Sequence, residues 1–446
     1  MSPAAPAPAK KVEAAAEPRL RLAAVGLEAE FELLLDGERV EPEKHFSSPR
    51  DLIRGELMHR KGTSYHLPTG NAIYFDTGVV ELATPAMEVA RGCAARAGRS
   101  LWESILFLRS ELDAWGARHG RDARLRGFST HFNTSFEPRP NGAGEGGASA
   151  ERRTVERLAL LLVHVLPAPV MLLATNRLST GVGVRPRGGR IEVTADFTPS
   201  ASLMIAAATI VVGITRQVMR WDSYELDELA ARGLPVIRGF RPRRHTSRKG
   251  WLARPECFAQ NPFTCGPDEE IWEVEEPFWA RRGEAPRRLS LRRIAWETAR
   301  HFRLAIRRVS DPFTFRLIDS VLSGRAPSLL DLPDRPAAYD DVGRPGASWD
   351  NLFPERVLGR SRYERVLIRA ISGRKLWLGG RAYTPVGMRG WSVVVFRRDA
   401  DGTRHALTVD DLLTHLEDWE RSSERARGRA RSARQARGRE REAPRG

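Results

Sequence analysis

The run Gly26-Leu27-Glu28-Ala29-Glu30-Phe31 sets two carboxylates two residues apart, with a third at Glu32. An extended chain sends alternate side chains to opposite faces, so the three acids share one face and Ala29, Phe31 and Leu33 the other. Neighbouring carboxylates repel unless one is protonated or a cation neutralises them. Hard divalent ions such as Mg²⁺ take oxygen ligands of this kind and hold phosphates beside them. The plainer reading is an exposed strand face.

Three further groups could join that chemistry. In Tyr74-Phe75-Asp76-Thr77-Gly78-Val79-Val80-Glu81-Leu82, two acids interrupt an apolar stretch where an unpaired charge is costly. Asp76 also suits a turn-capping role before Gly78. In Ser129-Thr130-His131-Phe132-Asn133, the His and Asn share a strand face, to ligate a metal, touch a phosphate or hydrogen-bond each other. Asn176-Arg177, Arg185-Pro186-Arg187, Arg190-Ile191-Glu192 and Asp196 follow. Arginines beside a metal-binding acid are what phosphoryl transfer needs, to neutralise the transferring phosphate and the leaving group. In a chain with this much arginine, any one of them also reads as ordinary surface charge.

The elements that must position these residues follow from periodicity. Leu22 to Leu35, Asn71 to Thr84, Gly127 to Phe136 and Arg190 to Ala195 read as strands. Leu101, Ile105, Leu108, Leu112 and Trp115 recur at three and four, which predicts a helix over Ala94 to Trp115. Glu151 to Val165 is a second helix, stopped by Pro167 and Pro169. Ser202 to Met219 is a nearly all-apolar helix of buried type. Arg238 to Gly283 reads as irregular, and Leu291 to Val309 as one helix. Lys375 to Leu407 reads as a small β unit with a turn at Asp399 to Gly402, followed by a helix over Val409 to Trp419.

The chain has 446 residues, 41% hydrophobic and 29% charged, with a net charge of +16. That apolar content supports a packed core and excludes wholesale disorder. The most apolar run, Ala201 to Ile214, is short for a membrane span and is followed by Arg216 and Arg220, so no membrane is expected. Positive charge first suggests a polyanion, but it is unevenly placed. Arg421 to Gly446 alone carries +7, while Arg238 to Arg254 and Arg287 to Arg308 form two more clusters. No nucleic-acid motif accompanies them. Three cysteines without a CxxC pair indicate neither a zinc ribbon nor a disulfide framework, and suit a cytoplasmic protein. Met1 to Pro18 lacks the apolar core of a secretory signal.

The order of the motifs resembles the glutamine synthetase and γ-glutamylcysteine ligase superfamily of carboxylate-amine ligases. Gly26 to Phe31 is similar to its first metal strand, Gly127 to Ser135 to its His strand, and Asn176 to Ala208 to its closing block. Pro68 to Asp76 through Glu81 to Thr84, with His131-Phe132-Asn133, looks like the branch formed by the ligase and depupylase of prokaryotic ubiquitin-like protein. The resemblance covers Leu22 to Met219, about half the chain. Two positions depart from glutamine synthetase: Thr194 replaces an Arg that grips the substrate carboxylate, and Asn133 replaces a second His.

That resemblance implies an α+β fold, a glutamine synthetase-like catalytic domain with a curved, mostly antiparallel sheet backed by helices, plus a small C-terminal α/β extension. The expected division is a disordered leader to residue 20, a catalytic domain over 21–325, a linker or lid over 326–361, a small domain over 362–420 and a disordered tail over 421–446. It implies ATP and Mg²⁺ as cofactors, with Glu28, Glu30, Glu81, His131 and Glu192 as metal ligands. Asp76, Arg177 and Arg190 would be catalytic, and Arg177, Arg185 and Asn133 nucleotide-binding. The implied reaction joins a carboxylate to an amine through an acyl phosphate, on substrates that include an acidic protein or peptide as an option. Oligomeric state is open. Alternatives are an amide hydrolase on the same scaffold, an inactive binding protein, or a nucleic-acid binder.

Overall fold

The structure, a computed structural model, describes residues 20–137, 147–245, 250–275, 287–343 and 360–421. The expected leader and Arg-rich tail, the Gly-rich stretch 141–146 and residues 344–359 of the expected lid lie outside these.

Alternation in Ala24–Leu35 makes it the central strand of a twelve-stranded sheet. Leu27, Ala29, Phe31 and Leu33 are fully buried on its helix-facing side. Each large apolar side chain withdrawn in this way contributes about 2 kcal/mol. On one flank the order runs Ala123–Ser135, Arg190–Asp196, Val182–Arg187, Gly250–Ala253, Arg243–His245. On the other it runs Val79–Ala83, Ala72–Asp76, Ser64–His66, Met58–Lys61. Every pairing in it is antiparallel. The expected mixed helix-and-sheet class with a largely antiparallel, curled sheet is therefore what the chain adopts.

Helices cover the apolar face. Cys93–His119 lies against the central strand, and Ala201–Val218 packs on it and on Pro167–Ala174 and Arg303–Val309. Ala201–Val218 has the length and apolarity of a membrane span, but 78% of it is buried and it fills the core.

Several expectations need correction. The second strand region is a hairpin, Ala72–Asp76 and Val79–Ala83, turned at Thr77 and Gly78 with φ of +53° and +87°. The irregular stretch Arg238 to Gly283 contains the strands Arg243–His245 and Gly250–Ala253, which extend the sheet, and Trp272–Glu275. The single helix expected over Leu291 to Val309 is two, broken at Phe302, whose buried ring stacks on Trp221 at 5.9 Å. The described part of the expected lid is packed: Leu329, Leu330 and Tyr339 are core residues, and Val342 N donates to Leu125 O at 2.9 Å.

Residues 362–419 build a second, small core around a four-stranded sheet, with Tyr363, Phe396 and Trp419 buried at its centre. Leu20 and Leu22 pack against that core. Leu22 N donates to Tyr363 Oη at 3.1 Å and Arg21 N to Asp410 Oδ2 at 2.9 Å. Glu88 accepts from Tyr363 N at 3.2 Å. The segment entering the central strand is thus stitched to the C-terminal unit.

Candidate active site

Register places the chemistry. Along the face opposite the helices, Tyr74 pairs with Glu81, Glu81 with Glu30, Glu30 with Ser129 and Ser129 with Asp196. One step along, Ala83 pairs with Glu28, Glu28 with His131 and His131 with Thr194. One step further, Asn133 pairs with Glu192 and Glu192 with Arg185. Four strands, far apart in sequence, therefore bring the acids and His131 together.

Ligating atoms of Glu28, Glu81 and His131 lie within 4.8 Å of one another, as do those of Glu30, Asp76 and Glu81. Glu30, Glu81 and His131 are buried, whereas Asp76 is exposed at the edge of the group. Tyr74 Oη donates to Glu81 Oε1. Ser129 Oγ donates to Glu30 Oε2 at 2.5 Å. His131 Nε2 lies 3.3 Å from Arg185 Nη2, which can only donate, and His131 Nδ1 lies 3.1 Å from Glu28 Oε2. His131 Nε2 also lies 3.2 Å from Ser129 Oγ, so the ring bridges the serine, Arg185 and Glu28.

The electrostatics divide the acids. Burial alone would raise Glu28, but the hydrogen bond and charge of His131, with Arg190 and Arg60, hold its carboxyl below the ordinary carboxylate range. Glu81 moves the other way, because burial and the negative charge of Glu28 penalise its ionised form. Acids of opposite tendency packed against one another leave a deficit of positive charge at their centre. Each of the two groups of three, which share Glu81, offers donors of the kind that a hard divalent cation such as Mg²⁺ or Mn²⁺ takes. The residues present therefore fit such an ion.

Glu192, expected among the metal ligands, stands in a cage of arginines instead. Arg185 Nε is 2.7 Å from its Oε1, Arg187 Nη2 3.1 Å from Oε1, and Arg190 Nη2 3.7 Å from Oε2. A carboxylate matched by three guanidinium groups has little charge left for a cation. Arg177 is not brought to this cluster either: its Nε donates to Leu330 O at 3.1 Å. Arg187, Tyr74 and Ser129 stand inside the sequence motifs but were given no individual role. Each sits within two residues of a residue that was singled out, on the same strand face, and that spacing was the available signal.

A cavity of ≈ 230 Å³ opens beside the acids. Glu28, Asn133 and Arg190 are among its polar lining residues, with Arg21 and Glu137, and Leu22, Val25, Phe136 and Trp391 are among its apolar ones. Asn133 is 7% exposed; its Oδ1 accepts from Arg190 Nε at 2.7 Å. Its buried Nδ2 has no partner among the described residues. An unsatisfied buried amide donor of this kind costs about 1–3 kcal/mol unless something accepts from it.

No family model matches the chain, and no curated protein sequence matches it. Among solved structures, the chain is similar to one described as the crystal structure of the complex between prokaryotic ubiquitin-like protein Pup and its ligase PafA. The two share 10% sequence identity with a TM-score of 0.47, over 89% of this chain and 92% of that chain.

Proposed function

We propose that the chain is an ATP- and Mg²⁺-dependent carboxylate-amine ligase, with a catalytic domain of glutamine synthetase type and a likeness to the Pup ligase and depupylase branch. One observation carries the reading: a group of acids with His131 adjoins a cavity lined by Glu28, Asn133 and Arg190.

Glu28, Glu30, Glu81 and His131 would hold the cation, which when bound draws the phosphate oxygens in and offsets their charge. Asn133 and Arg190 point the phosphate chain toward the acids. Arg185 and Arg187, anchored on Glu192, keep positive charge fixed at the same end of the site. A substrate carboxylate oxygen attacks the γ-phosphorus, the bond to the bridging oxygen breaks, and ADP leaves. An amine then attacks the acyl carbon, phosphate departs, and Asp76, exposed at the edge of the acids, takes the amine proton. Hydrolysis uses the same parts, with water in place of the amine, and is the second reading because Asp76 is open to solvent. The substrates are a carboxylate and an amine, with an acidic protein segment suited to the arginine clusters. Three free cysteines suit a cytoplasmic setting.

The test is Mg²⁺-ATP binding to the intact chain and to a Glu28→Ala/Glu30→Ala variant. The reading expects affinity to fall at least tenfold in the variant. Equal affinity in both, or none in either, would sink it.

A further inference from the structure

The C-terminal unit puts a single aromatic ring at the cavity. Trp391 sits in the turn between strands Arg381–Arg389 and Val393–Arg398 and lines the cavity with Ser392. The large sheet holds that ring. The guanidinium of Arg60, on Met58–Lys61, lies 4.8 Å from its centroid, and buried His66, on Ser64–His66, meets it edge-on at 5.1 Å. Leu20 to Ala24 also line the cavity, bound to the same unit through Leu22 and Arg21. The C-terminal unit thus supplies one wall and anchors another.

We propose that Trp391 is the platform on which the nucleotide base stacks, so that the C-terminal unit is part of the nucleotide site rather than a separate module. The inference rests on the nucleotide reading above. The lining of the cavity offers two kinds of surface. Glu28, Asn133 and Arg190 suit phosphates and their cation, while Trp391, Leu22 and Phe136 offer only apolar surface and a π-face, which suits a planar heterocycle. A ring already fixed by Arg60 and His66 loses little freedom when a base settles on it.

The test compares Mg²⁺-ATP with Mg²⁺-tripolyphosphate, which keeps the phosphates and lacks the base. Calorimetric titrations are run on the full chain, on Trp391→Ala and on Trp391→Phe, each first checked by circular dichroism and thermal melting. Base stacking expects Trp391→Ala to weaken Mg²⁺-ATP by ten- to a hundredfold, to leave Mg²⁺-tripolyphosphate within twofold, and to be largely restored by Trp391→Phe. Unchanged ATP affinity in Trp391→Ala overturns the platform while leaving the phosphate and cation site standing. Parallel loss of both ligands, or a variant that does not fold while Trp391→Phe binds no better than a baseless ligand, also overturns it. A native chain that binds neither ligand overturns the nucleotide reading itself.

Discussion

Glu28 and Glu81 are pushed in opposite directions by the same packing. His131 and Arg190 favour the charge on Glu28, and that charge in turn disfavours a second one on Glu81. The cation-free site therefore retains a proton on Glu81 to higher pH than a free carboxylate would. Ligation needs the carboxylate form, so cation uptake should release a proton and affinity should rise with pH. Titrations of Mn²⁺ in two buffers of different ionisation enthalpy should show the release, and Glu81→Gln should abolish it. Asp196, at the end of the same row, gives a stability prediction. Burial pushes its carboxyl up to about 6, despite the amide of Asn176 at 3.3 Å. An acid raised in the folded state stabilises fully below its unfolded value, and that contribution is lost as pH rises through the folded one. Stability should fall between about pH 4 and pH 6 on this account. Asp196→Asn should remove that slope and raise stability at pH 8 by about 1–3 kcal/mol, measured by urea unfolding across pH. The acids themselves were legible in the sequence because an acid inside an apolar run is a local signal. Their convergence was not, because it depends on which strands pair.

At the scale of elements, the arginine cage depends on a backbone without side chains. Gly250 lies on the strand beside Val182–Arg187, and a Cβ there would sit 2.5 Å from Arg185 Cγ and 3.0 Å from its Cα. Gly183 makes equal room for Thr194, whose Oγ1 would be 2.4 Å from an added Cβ. Gly250→Ala should therefore displace Arg185 from Glu192 and His131. The expected cost is about 1–3 kcal/mol of stability from overpacking, read as a lower melting temperature, with Mg²⁺-ATP affinity reduced several-fold. Such strands are hard to see in the sequence. Val182–Arg187 contains Gly183 and Pro186, residues that ordinarily argue against a strand interior. Arg243–His245 and Gly250–Ala253 are short and flanked by dense charge, so no alternation survives over four residues or more. The long strands and Cys93–His119 carry clean periodicity, and their readings needed only adjusted ends.

Across the whole molecule, the charge of +16 separates into parts with different uses. Much arginine in the described residues is already paired. Arg54 faces Glu111, Arg126 faces Glu32, Arg292 faces Asp268 and Asp331, and Arg365 faces Glu420. Pairs of this kind that lie at the surface contribute little to stability, but they cancel the field that a polyanion would feel. The cage at Glu192 buries its carboxylate and reaches the candidate cavity through Arg190. Residues 422–446 hold nine arginines against three glutamates, a surplus of +6 with no acidic neighbours in sequence to offset most of it. Affinity for a polyanion such as heparin should therefore fall steeply with salt in the full chain and less steeply after truncation at Arg421. Mg²⁺-ATP affinity should be the same in both, because among the described residues no cavity residue lies beyond Ser392. Retention on heparin at stepped salt, alongside calorimetry of both forms, separates the two sources of charge. If truncation instead lowers ATP affinity, the tail belongs to the active site. If Glu28→Ala lowers heparin affinity, the polyanion and the nucleotide share one surface.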